Sequence, residues 1–247
     1  MPKVTFQKIT FIIILVFSAS IHCLGQTYKE TDFKEIKPPD HGSEDWYILN
    51  RSTLDFAVKN NNGTLAIEAA QDANKVEYAM PNGKLVGTDR AQLGGKLTFV
   101  PDDKSKTPVE IKKGNIKYIF MMRDTIYFVE GPSKFYKTKG AINKLIIKGE
   151  SFQPVKVLDL LDDPEVCTLH NDTIFIASQE NFYIVHNFKK ELLYKDTFWS
   201  GLYPNSLAVI DPSNIYVGMK GGYVKLDLVK KTMKLYEYKI ADAKKLF

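Results

Sequence analysis

The chain has 247 residues, 44% hydrophobic and 26% charged, with a net charge of +5. This composition excludes a disordered, collagen-like or multi-spanning membrane protein, and two cysteines exclude a disulfide miniprotein or a Cys-rich zinc scaffold. The charge is too mild to point to nucleic acid, and aromatic residues at 12% lean the chain toward strand.

Residues 1–25 read as a secretory signal peptide. Lys3 and Lys8 supply the positive start, Phe11 through Phe17 the apolar centre, and Cys23 and Gly25 the small residues before a cut at Gln26. The apolar run is shorter than the ~20 residues of a membrane-spanning helix, so no integral span is expected after cleavage. The expected address is secreted, or periplasmic and cell envelope. A lipidated Cys23 is disfavoured, because His22 and Ser20 stand where a lipobox carries a small residue and a leucine. Cleavage removes two lysines and no acid, which lowers the net charge from +5 to +3. It also leaves Cys167 as the single thiol, so stability must come from packing instead of a disulfide.

Residues 26–247 read as one domain. No stretch carries a convincing helical period with start and stop signals. Trp46-Tyr47-Ile48-Leu49, Leu54 to Val58 and Thr64 to Ile67 read as strands, the last two joined by an Asn60 to Gly63 hairpin. A first unit then runs through Val76 to Met80, Lys84 to Gly87, Lys96 to Val100 and Val109 to Ile111. Clearer units occupy 116–148, 165–195 and 205–238. Each has an apolar strand, a tight polar turn (Arg123-Asp124, Asn171-Asp172, Pro212-Ser213-Asn214) and a second strand opening at Ile126, Ile174 or Ile215. A break follows at Gly131-Pro132-Ser133, Gln179-Glu180-Asn181 or Lys220-Gly221-Gly222. The second strands recur about every 41–48 residues, the spacing of propeller blades. The expected fold is all-β, a β-propeller of five four-stranded blades. Either 239–247 or Tyr28 to Ile36 would complete the fifth. The alternative is a β-sandwich of the same strands.

Pro204-Asn205-Ser206-Leu207-Ala208-Val209-Ile210-Asp211-Pro212-Ser213-Asn214-Ile215-Tyr216-Val217-Gly218 resembles the repeat of YVTN/NHL/WD40-like propellers, and Gly221 to Asp227 is similar to the third strand of such a blade. The likeness is good over 204–228, fair over 116–195 and poor before 115. The Trp-Asp dipeptide of WD40 blades is absent. The resemblance implies a fold and carries no site residue with it.

The sequence holds no phosphate-binding loop, no nucleophile elbow and no HExxH or EF-hand pattern, so no catalytic residue and no cofactor is assigned. His41, His170 and His186 stand at unlike positions, and no metal site is expected. Asp159, Asp162, Asp163 and Glu165 are the densest acids, in the loop joining two blades. Their ordinary reading is a solvated turn, and their chemical reading is a cation or acid–base site at the channel mouth. The loop Asp196 to Pro204 carries Phe198, Trp199 and Tyr203, which either form a stacking platform or plug the gap between blades. Arg90 should share their face. The candidate ligand-binding residues are therefore Trp199, Tyr203, Phe198, Arg90 and Asp162. The lysines from Lys230 to Lys245 read as a solvated strand face. The leading function is a non-catalytic module that binds a protein or glycan on its inter-blade loop face. The alternatives are a hydrolase or lyase with acids at the central channel, and a purely structural envelope protein.

Overall fold

The computed structural model describes residues 26–71, 74–132 and 139–239. The proposed signal peptide, Ser133 and the last lysines of the tail lie outside the described residues.

In chain order, β1 (Thr27–Tyr28) and β2 (Phe33–Ile36) precede a helix α1 (Glu44–Asn50), followed by the hairpin β3 (Phe56–Asn61) and β4 (Thr64–Ala69). The next sheet is β5 (Lys75–Met80), β6 (Gly83–Thr88), β7 (Lys96–Pro101) and β8 (Val109–Lys113). The third is β9 (Asn115–Met122), β10 (Thr125–Gly131), β11 (Ala141–Lys148) and β12 (Ser151–Asp159). The fourth is β13 (Pro164–His170), β14 (Thr173–Ser178), β15 (Phe182–His186) and β16 (Lys189–Tyr194). The fifth is β17 (Ser206–Asp211), β18 (Asn214–Met219), β19 (Gly222–Asp227) and β20 (Thr232–Tyr238). All pairings are antiparallel, β5–β8, β9–β12, β13–β16 and β17–β20 each form a meander, and the leading strands of adjacent sheets touch in the order β5, β9, β13, β17, β3. The architecture is a five-bladed β-propeller, with neither the two stacked layers nor the shared core of a sandwich.

Two details differ from the sequence expectation. The blades are not all four-stranded: β1 joins the β3–β4 hairpin to make a three-stranded first sheet, and β2 adds to β20 as a fifth strand of the last. Trp46 to Leu49 belong to a helix, not a strand. Ser43 caps it, its hydroxyl accepting from the Trp46 amide at 3.3 Å, and Glu44 and Asp45 put negative charge at the positive end. The outer strand β12 carries Pro154, which an edge position tolerates because one side of the strand needs no donor.

The turns follow their residues. Asn62-Gly63, Arg123-Asp124, Asn171-Asp172 and Asn187-Phe188 all hold positive φ in two-residue hairpins, the twist that antiparallel strands require. Phe188 does this as an aromatic residue, with its ring 5.4 Å from that of Tyr127 across the seam to the third sheet. The core is divided among the seams. Leu85, Leu97, Ile116 and Phe128 fill the second–third seam, and Phe120, Ile142, Ile176 and Tyr183 the third–fourth. Phe182, Trp199, Val217 and Val224 fill the fourth–fifth, and Phe56, Ile67, Tyr216 and Tyr223 the fifth–first. Among the described residues no helix is long and apolar enough to cross a membrane.

Candidate functional site

Strand alternation sends two kinds of connection to the same end of every sheet: those between sheets and those between second and third strands. Hydrogen bonds tie these connections into a belt. Asn115, at the start of β9, accepts from the Arg90 amide and donates to the carbonyls of Ala91 and Pro132. The Gly140 amide donates to the carbonyl of Asp162, and the Gln179 amide to that of Asp163. Asp162 Oδ2 accepts from the Glu180 amide at 3.2 Å and from Asn181 Nδ2 at 2.8 Å. The Thr197 amide donates to the Glu180 carbonyl, Trp46 Nε1 to the Phe198 carbonyl, and Asn50 Nδ2 to the Gly201 carbonyl. The belt is therefore a fixed surface, and α1 is part of it.

Arg90, Asp162, Phe198, Trp199 and Tyr203 all lie on this face, but they do not form one site. Trp199 is fully buried, and its Nε1 donates to the Ser178 carbonyl at 2.9 Å. Phe198 is buried beside it. Both are inter-sheet plugs, which corrects their reading as a stacking platform: an indole with no exposed face has nothing to offer a ligand. Tyr203 is different. It is 55% exposed, and its backbone sits in the left-handed region at φ 53°. That conformation costs an aromatic residue of order 1 kcal/mol and is held only where the surroundings impose it. The Lys220 ammonium stands 5.1 Å from the ring centroid and donates to the Asn50 carbonyl. Beside them α1 exposes Tyr47 and Ile48, with the Arg51 guanidinium 5.8 Å from the Tyr47 ring. Arg90 is exposed and positioned through its backbone by Asn115.

The second feature of the face is electrostatic. Lys117 stands on β9 with its side chain only 15% exposed. Its ammonium lies 2.7 Å from Asp89 and 3.6 Å from Glu165, so the second, third and fourth sheets meet at one charge. Burial pulls the Lys117 pKa down, but Glu165, Asp89 and Asp163 together more than offset it, and the ammonium is held above the ordinary lysine value. Burial pushes Glu165 up against the pull of Lys117. Asp163 rises from 3.8 to about 7, chiefly by burial, with Lys117 opposing and Glu165, Asp89 and Asp162 adding repulsion. Asp162 Oδ1 and Asp163 Oδ1 are shielded from solvent and have no hydrogen-bond partner among the described residues. Asp159, grouped with these acids in the sequence, turns away and is paired to Lys156 at 2.8 Å. Cys167 is buried, and burial pushes its thiol up to about 12, so it is a core thiol and not a thiolate nucleophile.

Sequence reasoning missed Lys117, Asp89 and Tyr183. The available signal was a lone lysine inside the apolar run Ile116 to Met122. The histidines do not converge: His41 packs against Trp46 on the loop face, whereas His170 and His186 sit at the far ends of β13 and β15. No group of three His, Cys, Asp or Glu among the described residues is arranged to hold a metal ion. A cavity of about 210 Å³ on the loop face is lined by His41, Glu180, Asp196, Thr197 and Ser200. A cavity of about 950 Å³ opens at the opposite end, floored by Phe99 and Phe152.

A scan of protein-family models and a search of curated proteins return no match to this chain.

Asp163 makes stability depend on pH with a definite sign. Its folded pKa, about 7, lies above the ordinary 3.8, so between these values the folded state holds more protons than the unfolded one. Stability therefore falls as pH rises through that window and stays lowered above it. Asp163→Asn removes the effect. It is expected to raise the melting temperature at about pH 8, by about 2–4 °C for each kcal/mol recovered, and to leave it nearly unchanged at about pH 4. Differential scanning calorimetry at both pH values checks this.

Proposed function

We propose that this chain is an exported propeller that binds a ligand, a protein or a glycan, on the face built by its inter-sheet loops. The observation that carries the reading is Tyr203: an exposed aromatic ring, held in left-handed backbone geometry, with a lysine over it and a helix beside it. Aromatic and arginine side chains on a rigid frame are the usual anchors of an interface, and Tyr47, Arg51 and Tyr203 supply that composition here. Ile48, an exposed aliphatic residue in the same patch, favours a protein over a sugar. In the best-patterned blade, 204–228, the order of proline, apolar strand, aspartate turn and Ile-Tyr-Val strand supports kinship with YVTN/NHL/WD40-like repeats. Export follows from the pattern of residues 1–25, and mass spectrometry of the mature protein is expected to find Gln26 at its N-terminus.

With the partner captured by pull-down from envelope and secreted fractions, Tyr203→Ala and Lys220→Ala are each expected to weaken binding about tenfold to a hundredfold. Both should leave the melting transition in place, since Tyr203 fills no core position. Undiminished binding in both variants would overturn the reading.

A second reading is a propeller hydrolase or lyase. The observation favouring it is that Asp163 and Glu165, both pushed upward by burial, converge with Asp89 on one lysine. A panel of aryl glycosides and lactones tests it. Turnover falling about a hundredfold in both Asp163→Asn and Glu165→Gln is the expected signature of acid–base chemistry, and no turnover by the unaltered protein removes this reading.

A further inference from the structure

We propose that the cavity between the second and third sheets, at the end of the propeller opposite the loop face, is a binding site for a small aromatic molecule that carries an ammonium group. The site stands apart from the loop-face reading, and neither depends on the other.

Register builds its walls. Phe99 pairs with Val109 in the second sheet and Phe152 with Ile147 in the third, and cross-strand partners share a face. Both faces turn to the second–third seam, where Phe99 and Phe152 pack against the core of Leu85, Leu97, Phe128 and Leu145. Deeper in the seam the two faces meet, and at this end they part. A cavity of about 950 Å³ lies between them, floored by Met80, Phe99 and Phe152 and walled by Val109 and Ile147. Sites for small organic molecules are apolar clefts of about 300–1,000 Å³ with a few polar groups, and this cavity has that size and composition. Val109 and Ile147 remain 42% and 39% exposed, an apolar surface that the fold itself leaves uncovered.

The next seam shows what is missing here. At its matching end, the two-residue turn between β15 and β16 supplies Phe188, whose ring packs 5.4 Å from that of Tyr127. The same turn of the third sheet, between β11 and β12, is Gly149-Glu150, which offers no apolar side chain. A ring brought by a ligand fills the space that Phe188 fills one seam along. The floor is built to receive it. Phe99 and Phe152 stand 4.9 Å apart at 35°, and both are only partly buried. A Cβ on Gly83 would stand 2.8 Å from Phe99 Cζ, so glycine at that position is what allows the Phe99 ring to lie there. An aromatic ligand meets this pair offset or edge to face, a contact that an aliphatic chain of equal area cannot make.

Charge at the mouth selects the ammonium. The connection between β7 and β8 is the seven residues 102–108, where the corresponding connections of the third and fourth sheets have two. It forms a fixed rim. Asp103 accepts from the Ser105 amide at 2.9 Å and from its hydroxyl at 2.7 Å. The Lys106 ammonium bridges from this loop to the third sheet, donating to Glu150 Oε1 at 2.8 Å. Asp102, Asp103 and Glu150 line the cavity with a single lysine, Lys106, which gives the rim a net charge of −2. Asp103 is committed to Ser105 and Glu150 to Lys106. Asp102 makes no side-chain hydrogen bond or ion pair among the described residues, so its carboxylate is the one open to a cation. An ammonium donates to it, and a carboxylate on the same ring is repelled.

An NMR titration of the isotope-labelled protein tests this, with tryptamine as the probe. Indolepropionate serves as its anionic counterpart and hexylamine as an ammonium without a ring. Tryptamine is expected to bind with a Kd of about 1 mM or tighter and to shift the amides of Ser105, Lys106, Gly149 and Glu150 while those of Gly201 and Tyr203 stay in place. Indolepropionate and hexylamine are each expected to bind about tenfold more weakly or not at all. Val109→Trp fills the cavity from an exposed strand position, and it should abolish tryptamine binding without lowering the melting temperature. Asp102→Lys, on the rim and away from any core, should bring tryptamine and indolepropionate to about equal affinity. Equal binding of hexylamine, shifts confined to other parts of the protein, or no shift in a folded protein would each overturn the proposal. So would undiminished binding in Val109→Trp or an unchanged preference in Asp102→Lys. The loop-face reading survives each of these outcomes, because it rests on Tyr203 and Lys220 at the other end.

Discussion

The chain segment 27–36 belongs to two sheets at once, and much of the molecule depends on that. Tyr28 pairs with Ile67 in the first sheet, and five residues later Phe33 pairs with Tyr238 in the last. Their rings meet Phe56, Tyr223 and Tyr238 edge to face at centroid distances of 5.0 to 5.5 Å. Such pairs contribute about 0.5–1.5 kcal/mol each beyond their burial. The three-stranded first sheet is thus held to the fifth by a covalent segment as well as by packing. The next element, α1, is set down on the loop face by the same segment. Trp46 then reaches the Phe198 carbonyl, and Asn50 both holds Gly201 and accepts from Lys220. The surroundings of Tyr203 are a consequence of how the N-terminal segment is tied.

What could be read from the sequence was what is local. Alternating apolar residues and two-residue turns such as Asn171-Asp172 carry their own geometry, and these strands and hairpins lie where the pattern puts them. The helix was hidden because Trp46-Tyr47-Ile48-Leu49 is an unbroken apolar run with no visible period, and its start signal is a single serine with two acids after it. Burial across a seam is not local and left no pattern. Nothing in Phe198-Trp199 distinguishes a plug from a platform, because the answer depends on Ser178 and Phe182 in another sheet. The acids Asp162, Asp163 and Glu165 were visible as a group. Their convergence on Lys117 and Asp89 was not, since those residues are brought in by the second and third sheets.

The acid–lysine cluster runs against the logic of its surroundings. The seams are filled mainly by aliphatic and aromatic side chains, and the same third–fourth seam that holds Phe120, Ile142 and Ile176 ends in charge. A buried ion pair is weak evidence for stability, because desolvation of both partners offsets their attraction. Here the offset is incomplete. Asp163 is pushed to about 7, and among the described residues two carboxylate oxygens and the Tyr183 hydroxyl, all buried, have no hydrogen-bond partner. Sites that break the rule of satisfied polar groups are where folds concentrate function.

The two features of the loop face divide its chemistry between them. Tyr203, Lys220, Arg51 and α1 offer apolar area and positive charge, whereas Asp162, Asp163 and Glu165 offer buried negative charge. The belt that fixes both is made largely of backbone hydrogen bonds and of side chains that are themselves buried, Asn115 and Trp199 among them. On the proposed binding reading, a ligand arriving there would meet a surface that needs little ordering, so more of the contact energy would appear as affinity. On that reading, opposite charges on one rigid face would also set the direction in which a partner lies. A partner whose apolar groups cover Tyr203 and Ile48 while an acidic group meets Lys220 or Arg51 would fit this patch, and a basic group placed there would meet like charge. Specificity would then come from the arrangement of the two features more than from the strength of either.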